Sequence, residues 1–237
     1  MPQPTYEQAM GAAVAARNAG QPDAAMAICA DVLQQRPGDP AAHQLRALLH
    51  LQSGQPVQAQ ADIQQSLQAR PGYPPALLLA GKIARALDDL AGAAHFFTQA
   101  AAHAPANAEP AYLHALTLLE QGHKAQAAQI LQALVQAHPQ HAAAWFQLGV
   151  VQQDLGKLPA AAAAFQAALL HQPGYAEAAV NLGVVWQELG KLPDAMMAYR
   201  QAYRLRPDSF GRIAQALTSS PHGALWLDLA ALRTLLT

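Results

Sequence analysis

The chain has 237 residues, a formal net charge of −1 and a charged fraction of 12%, about half the usual share, against a hydrophobic fraction of 52%. No basic stripe or charge block points to nucleic acid or an acidic membrane surface, and the single cysteine, Cys29, excludes an internal disulfide and a thiolate metal cluster. Much of the apolar share is alanine, the best helix former, and aromatics are 6%, so an all-helical protein is expected.

The opening MPQPTYEQAM has no basic segment and no apolar core, so no signal peptide is expected. The longest alanine-rich run, at 158–170, is too short and too interrupted to span a bilayer. These readings lead to the expectation of a soluble, cytoplasmic protein without membrane contact.

In chain order, one amphipathic stretch of about thirteen residues runs up to Gly20 and a second runs on to Pro37; the pattern then starts again. Prolines recur every thirty-four residues at Pro37, Pro71, Pro105, Pro139, Pro173 and Pro207. Twelve residues before each stands an alanine: Ala25, Ala59, Ala93, Ala127, Ala161 and Ala195. Seventeen before stand Gly20, Gly54, Gly122, Gly156 and Gly190, with Asp88 as the exception.

Glycine just past an amphipathic stretch takes the left-handed backbone that ends a helix, and the proline forbids further helix and turns the chain. The alanine marks a close crossing of two helices. Six units follow, at 6–39, 40–73, 74–107, 108–141, 142–175 and 176–209, each a pair of antiparallel helices. In the fifth, Trp145, Leu148 and Gly149 form one stripe, faced by Ala161, Phe165 and Ala168; the sixth repeats this with Leu182, Gly183, Trp186, Ala195, Tyr199 and Ala202. One pair cannot bury its own apolar face, and stacking equal units makes a continuous core. Cys29 is expected in that core, as a small hydrophobe.

Residues 210–237 leave the period. Ile213 and Leu217 continue one helix face, Ser219, Ser220 and Pro221 break it, and Asp228 caps a last helix bearing Leu229, Leu232 and Leu236. A terminal repeat exposes an apolar face, so this segment is expected to cap the array. Trp226 and Leu225 also suit it to docking or self-association.

These columns resemble the tetratricopeptide repeat family over residues 6–209, most specifically in the last two units. The resemblance implies an all-α, right-handed superhelical solenoid that binds other proteins. It also implies that the first helices of the units line an inner groove.

One step round from the packing stripe, that groove would present Met10, Val14 and Arg17, then Gln44, Leu48 and Leu51, then Leu78, Lys82 and Arg85. The second half adds Tyr112, Leu116 and Leu119, then Phe146, Val150 and Gln153, then Val180, Val184 and Gln187, with Asn181 beside them. The floor is mainly apolar with one cationic spot at Lys82 and Arg85, which suits an amphipathic helix or an extended apolar peptide oriented by an acidic residue.

The family's clamp for an acidic C-terminal carboxylate is largely absent, since Lys82 alone matches it in type. The asparagine ladder of a sugar-transferring relative is also missing: Asn181 and Gln147 stand in that column, but Gly11, Leu45, Leu79 and Leu113 fill the rest.

No catalytic constellation, cofactor or metal set emerges. Gly149 to Lys157 has the wrong spacing for a phosphate loop, with Leu158 where Ser or Thr is needed, and it recurs at Gly183, Gly190 and Lys191 as repeat grammar. His138 and His141 flank Pro139, His43 and His50 are seven apart, and His103 and His171 share a column. These histidines are expected at solvated helix ends. The reading is a non-enzymatic scaffold for a protein or peptide. Its alternatives are homotypic assembly, with the 225–236 segment in a neighbour's groove, and a substrate-selecting accessory module of a transferase.

Overall fold

The computed structural model describes residues 5–219 and 229–237. Helices come in tandem pairs, and no strand occurs among the described residues. The first helices of the pairs have thirteen residues each: α1 (Tyr6–Asn18), α3 (Pro40–Gln52), α5 (Pro74–Ala86), α7 (Ala108–Glu120), α9 (Ala142–Asp154) and α11 (Ala176–Glu188). The second helices have fourteen: α2 (Pro22–Gln35), α4 (Pro56–Ala69), α6 (Leu90–His103), α8 (Lys124–Ala137), α10 (Leu158–His171) and α12 (Leu192–Leu205). A 3-10 turn (Pro207–Ser209), α13 (Phe210–Ser219) and α14 (Leu229–Leu236) complete the described chain.

The ends of the helices follow from the periodic residues. Gly20, Gly54, Gly122, Gly156 and Gly190 take φ between 70° and 81°, and Asp88, which replaces glycine in that column, takes φ 59°. Aspartate is one of the few side-chain-bearing residues that enter this region readily. The turn lets the amide three residues past the helix reach back: Gln21 N–H donates to Ala16 O at 2.9 Å and Lys157 N–H to Gln152 O at 2.8 Å. Each second helix stops two residues before its proline, because the residue preceding proline is pushed toward extended backbone. N-termini are secured by Thr5 with Gln8 in a capping box and by the side chains of Asp39, Asp89 and Asn107.

The chain divides into two compact units, Met1–Gln121 and Gly122–Thr237, and the division falls between the two helices of the fourth period. In the first unit each helix from α1 to α7 packs on the next, and first helices also touch first helices, α1 with α3 and α3 with α5. In the second unit α8 to α12 stack in the same order, with α9 also meeting α11.

A pairing rule runs through both cores. One column of the first helices reads Ala13, Ala47, Gly81, Ala115, Gly149, Gly183; the corresponding column of the second helices reads Cys29, Ile63, Phe97, Leu131, Phe165, Tyr199. Glycine stands in the first column wherever an aromatic ring stands in the second. The rings of Phe97, Phe165 and Tyr199, fully buried, lie against the Cα of Gly81, Gly149 and Gly183. Ala13 with Cys29, and Ala47 with Ile63, occupy shared cores where the partner is smaller. At these crossings within each unit the combined volume is kept near constant while its parts vary.

Cys29 is fully buried, and burial pushes its thiol up to about 11. The thiolate is the reactive form, so Cys29 is expected to resist alkylation in the native protein and to react on unfolding. Rapid labelling of fully folded protein would contradict this placement.

At the C-terminal end, Ile213 and Leu217 of α13 and Leu232 and Leu236 of α14 are buried in one core with Ala195, Tyr199 and Ala202. Arg200 Nε donates to Leu235 O at 2.6 Å, and Arg204 donates from Nε and Nη2 to Thr237 O at 2.9 and 2.6 Å. Cations at the carbonyl end of a helix are favourable. The segment therefore covers the last helix pair of its own chain. Leu232 and Leu236 are already engaged, which argues against their entering a neighbour's groove. Leu225, Trp226, Asp228, Ser220 and Pro221, and the side chains of Ser219 and Leu229, lie outside the described residues.

Candidate functional site

On the first-helix face of the first unit, Met10, Arg17, Gln44, Leu48, Leu51, Leu78, Tyr112, Leu116 and Leu119 are all half-buried, and Val14 is 39% exposed. The inward half of this stripe has structural work. Met10 packs against the core of Ala13, Cys29 and Leu45; Leu48 and Leu51 pack against that of Ala47 and Ile63; Leu78 rests beside Phe97. Burial raises the phenol pKa of Tyr112 above its ordinary value.

The cationic spot expected at Lys82 and Arg85 is neutralised within the chain. Lys82 Nζ lies 2.7 Å from Glu109 Oε1, and Arg85 pairs with Glu120; both acids sit on α7, the next first helix. Each pair is partly exposed, so each contributes about 0–1 kcal/mol, and a competing carboxylate has little to overcome.

In the second unit, Phe146 stacks on Tyr175 at 4.8 Å and lies 5.7 Å from Phe165, ring centroid to centroid. Val150 and Val184 are half-buried against the α10–α12 cores, and Asn181 is half-buried beside them. Gln153 Nε2 donates to Glu188 Oε1 at 3.3 Å, tying α9 to α11.

Two expected groove residues are not on this face. Val180 is 3% exposed and Gln187 is 1% exposed. Gln187 Nε2 donates to Ala216 O at 2.9 Å, and its Oε1 accepts from Tyr199 O–H at 2.9 Å. Both are covered because α13, which lies outside the period, packs on α11.

The expected strip is thus shallower than its sequence suggests. Among the described residues, the most exposed large apolar side chains, Leu170 at 76%, Val57 at 64% and Met197 at 61%, belong to second helices.

An ionic cluster between α3 and α4 was not foreseen. Asp62 is 4% exposed and receives Arg46 Nε on Oδ2 at 2.8 Å and Arg46 Nη2 on Oδ1 at 2.5 Å. His43, 6% exposed, donates from Nε2 to Pro37 O at 2.8 Å and faces Asp62 Oδ1 with Nδ1 at 3.0 Å. His50 stands 3.7 Å from Asp62 Oδ2 and 2.7 Å from Gln55 Oε1. Burial would raise the Asp62 carboxyl, but the hydrogen bonds from Arg46 and His43 outweigh it and hold the group below the ordinary aspartate range.

This corrects the expectation that His43 is solvated; His50 does stand in the last turn of its helix, partly exposed. The signal was in the columns: Asp62 is the one acid among Ile28, Phe96, Ile130, Ala164 and Ala198.

Other histidines do serve helix ends. His141 Nδ1 accepts from Ala144 N–H at 3.1 Å, and His103 Nδ1 donates to Gln99 O at 2.9 Å. Among the described residues no group of three or more His, Cys, Asp or Glu is placed to hold a metal ion, and no helix is long and apolar enough to cross a membrane.

Two family models, each described as tetratricopeptide repeat, match residues 84–149 and 148–210, together more than half of the chain. No curated protein sequence matches it.

Among solved structures, the chain is similar to YrrB, described as a TPR protein with an unusual peptide-binding site. That match is 22% identical, covers 76% of this chain and 93% of YrrB, and has a TM-score of 0.64. The chain is also similar to MamA (residue 41 to the end) from Desulfovibrio magneticus RS-1, at 20% identity, 71% and 96% coverage and a TM-score of 0.63. A third similarity is to pilF of Pseudomonas aeruginosa, at 14% identity, 85% and 91% coverage and a TM-score of 0.71. At these identities the likeness is one of fold.

Proposed function

The chain belongs to the tetratricopeptide repeat family and is built as a protein-interaction scaffold, and from that premise we propose that its first-helix face captures an apolar or amphipathic peptide or helix. The observation that carries the reading is a row of half-buried apolar side chains on the first-helix face of each unit. Leu48, Leu78, Tyr112 and Leu116 stand in the first unit, with Phe146, Val150 and Val184 in the second. Leu48, Leu78, Phe146, Val150 and Val184 are anchored from below and offer their outer surface, so an apolar ligand meets positions already fixed, which lowers the ordering cost of binding. Contacts of α3 with α5 and of α9 with α11 bring successive rows together, and the Lys82–Glu109 and Arg85–Glu120 pairs tie α5 to α7.

The chemistry of binding is hydrophobic burial along a helical or extended segment, read as anchors at helix spacing or alternate residues. Lys82 and Arg85 can orient an acidic residue of the ligand only by exchanging Glu109 or Glu120 for it. Orientation by charge is therefore secondary to apolar contact. The role is one of holding rather than converting, with no cofactor.

The test is selection from a displayed random-peptide library with the wild-type chain and with the Leu48→Glu, Leu116→Glu, Val150→Glu variant, both checked for helicity and thermal unfolding. The wild type is expected to enrich peptides with apolar anchors, and the variant to bind them at least about a hundredfold more weakly, the scale of losing two binding anchors. Equal binding by a fully folded variant would remove the first-helix face from the account.

A further inference from the structure

We infer that the outer face of the α1–α2 pair is an interface that takes the same face of a second copy of this chain. In the third and sixth pairs this face is hidden under the preceding second helix. Leu77 and Ala80 of α5 are buried where α4 packs on α5, and Ala179 and Leu182 of α11 are buried where α10 packs on α11. Their counterparts at the start of the chain are Ala9 and Ala12, and no described helix covers them: Ala12 is exposed and Ala9 half-buried. Ile28 of α2 is half-buried beside them. Together these side chains floor a cavity of about 590 Å³.

The rim indicates what covers it. Asp31 and Arg36 carry opposite charges on the same rim. Neither forms an ion pair among the described residues, and Arg36 rests on the Tyr6 ring at 4.3 Å from the centroid. A twofold axis through the face sets Asp31 of each copy against Arg36 of the other, the isologous arrangement by which one patch complements itself. Gln8, Gln34 and Gln35 complete the rim with amides that both donate and accept, so they too pair with their own kind. The opposite end of the chain does not offer a mate, because α13 and α14 cover the last helix pair.

The test is sedimentation velocity of the full chain over a wide concentration range. A monomer–dimer equilibrium is expected. Ala12→Glu, at a position open to solvent in the monomer and well suited to a helix, is expected to weaken it by more than about tenfold. Asp31→Arg alone and Arg36→Asp alone should each stay monomeric, since each makes the rim single-signed. Mixed together they should associate. The arginine introduced in one variant then meets the aspartate introduced in the other, and the unchanged Arg36 of the first meets the unchanged Asp31 of the second.

Circular dichroism confirms folding of every variant, and Leu116→Glu should dimerise like the wild type, which separates this interface from the peptide-binding face. A chain that stays monomeric throughout overturns the inference. A dimer indifferent to Ala12→Glu, or single charge variants that do not rescue one another, overturns it as well.

Discussion

Asp62→Ala is expected to destabilise the protein by about 3–5 kcal/mol, because it leaves Arg46 and His43 facing a core with no counter-charge. The cluster is buried and mutually bonded, so the penalty falls on whatever remains after one member is removed. Replacing the whole set should behave differently. His43→Leu, Arg46→Ala, Asp62→Phe writes Leu77, Ala80 and Phe96 of the next period into this one. A buried ionic set exchanged for well-packed apolar residues is commonly neutral or stabilising. Denaturant unfolding of the two variants checks both halves of the argument, and a triple variant as unstable as Asp62→Ala would contradict it.

The same cluster sets an acid dependence. The folded-state pKa of Asp62 is depressed, so its contribution is present above the unfolded aspartate value of about 4 and is lost as pH falls through the folded value. The stability difference between wild type and Asp62→Asn should be full near neutrality and shrink below about pH 4.

The second large effect is at the crossings. A methyl group added at Gly149 would stand 2.7 Å from the Phe165 ring, closer than real contacts allow, and that ring is fully buried. Gly149→Ala is therefore expected to cost about 1–3 kcal/mol even though alanine is the better helix residue. Gly11 of α1 has open space around it, so Gly11→Ala should stabilise by about 0.5–1 kcal/mol through the helix preference alone. Opposite signs at two helical glycines distinguish packing from propensity.

The double variant Gly149→Ala, Phe165→Leu restores the alanine–aliphatic combination found at Ala47 and Ile63, and should recover about 1 kcal/mol or more relative to the sum of the single changes. Strict additivity would show that the two columns do not read one another.

Much of this fold was legible because its punctuation is backbone chemistry. The glycine column falls where φ must be positive, and its one exception, Asp88, adopts the same conformation. The proline and alanine columns mark the ends of second helices and the fully buried crossing positions. Cys29 fell in the core as its column required.

The candidate face was less legible, for reasons that lie beyond a single period. Lys82 and Arg85 find their acids twenty-seven and thirty-five residues on, on another helix, and a column read within one unit does not show such pairs. Val180 and Gln187 are lost to the face because of α13, which has no counterpart in the earlier units. The Asp62 cluster required comparing a column for its exception rather than its rule.

The most direct test of the central claim is site-specific photocrosslinking with a peptide selected by the wild-type chain. A benzophenone side chain replaces Leu116 or Val150 on first helices, or Val57 or Leu170, the most exposed apolar residues of second helices. Adducts from Leu116 or Val150 and none from Val57 or Leu170 are the predicted result. Adducts confined to Val57 or Leu170 would place binding on the second helices and contradict the account.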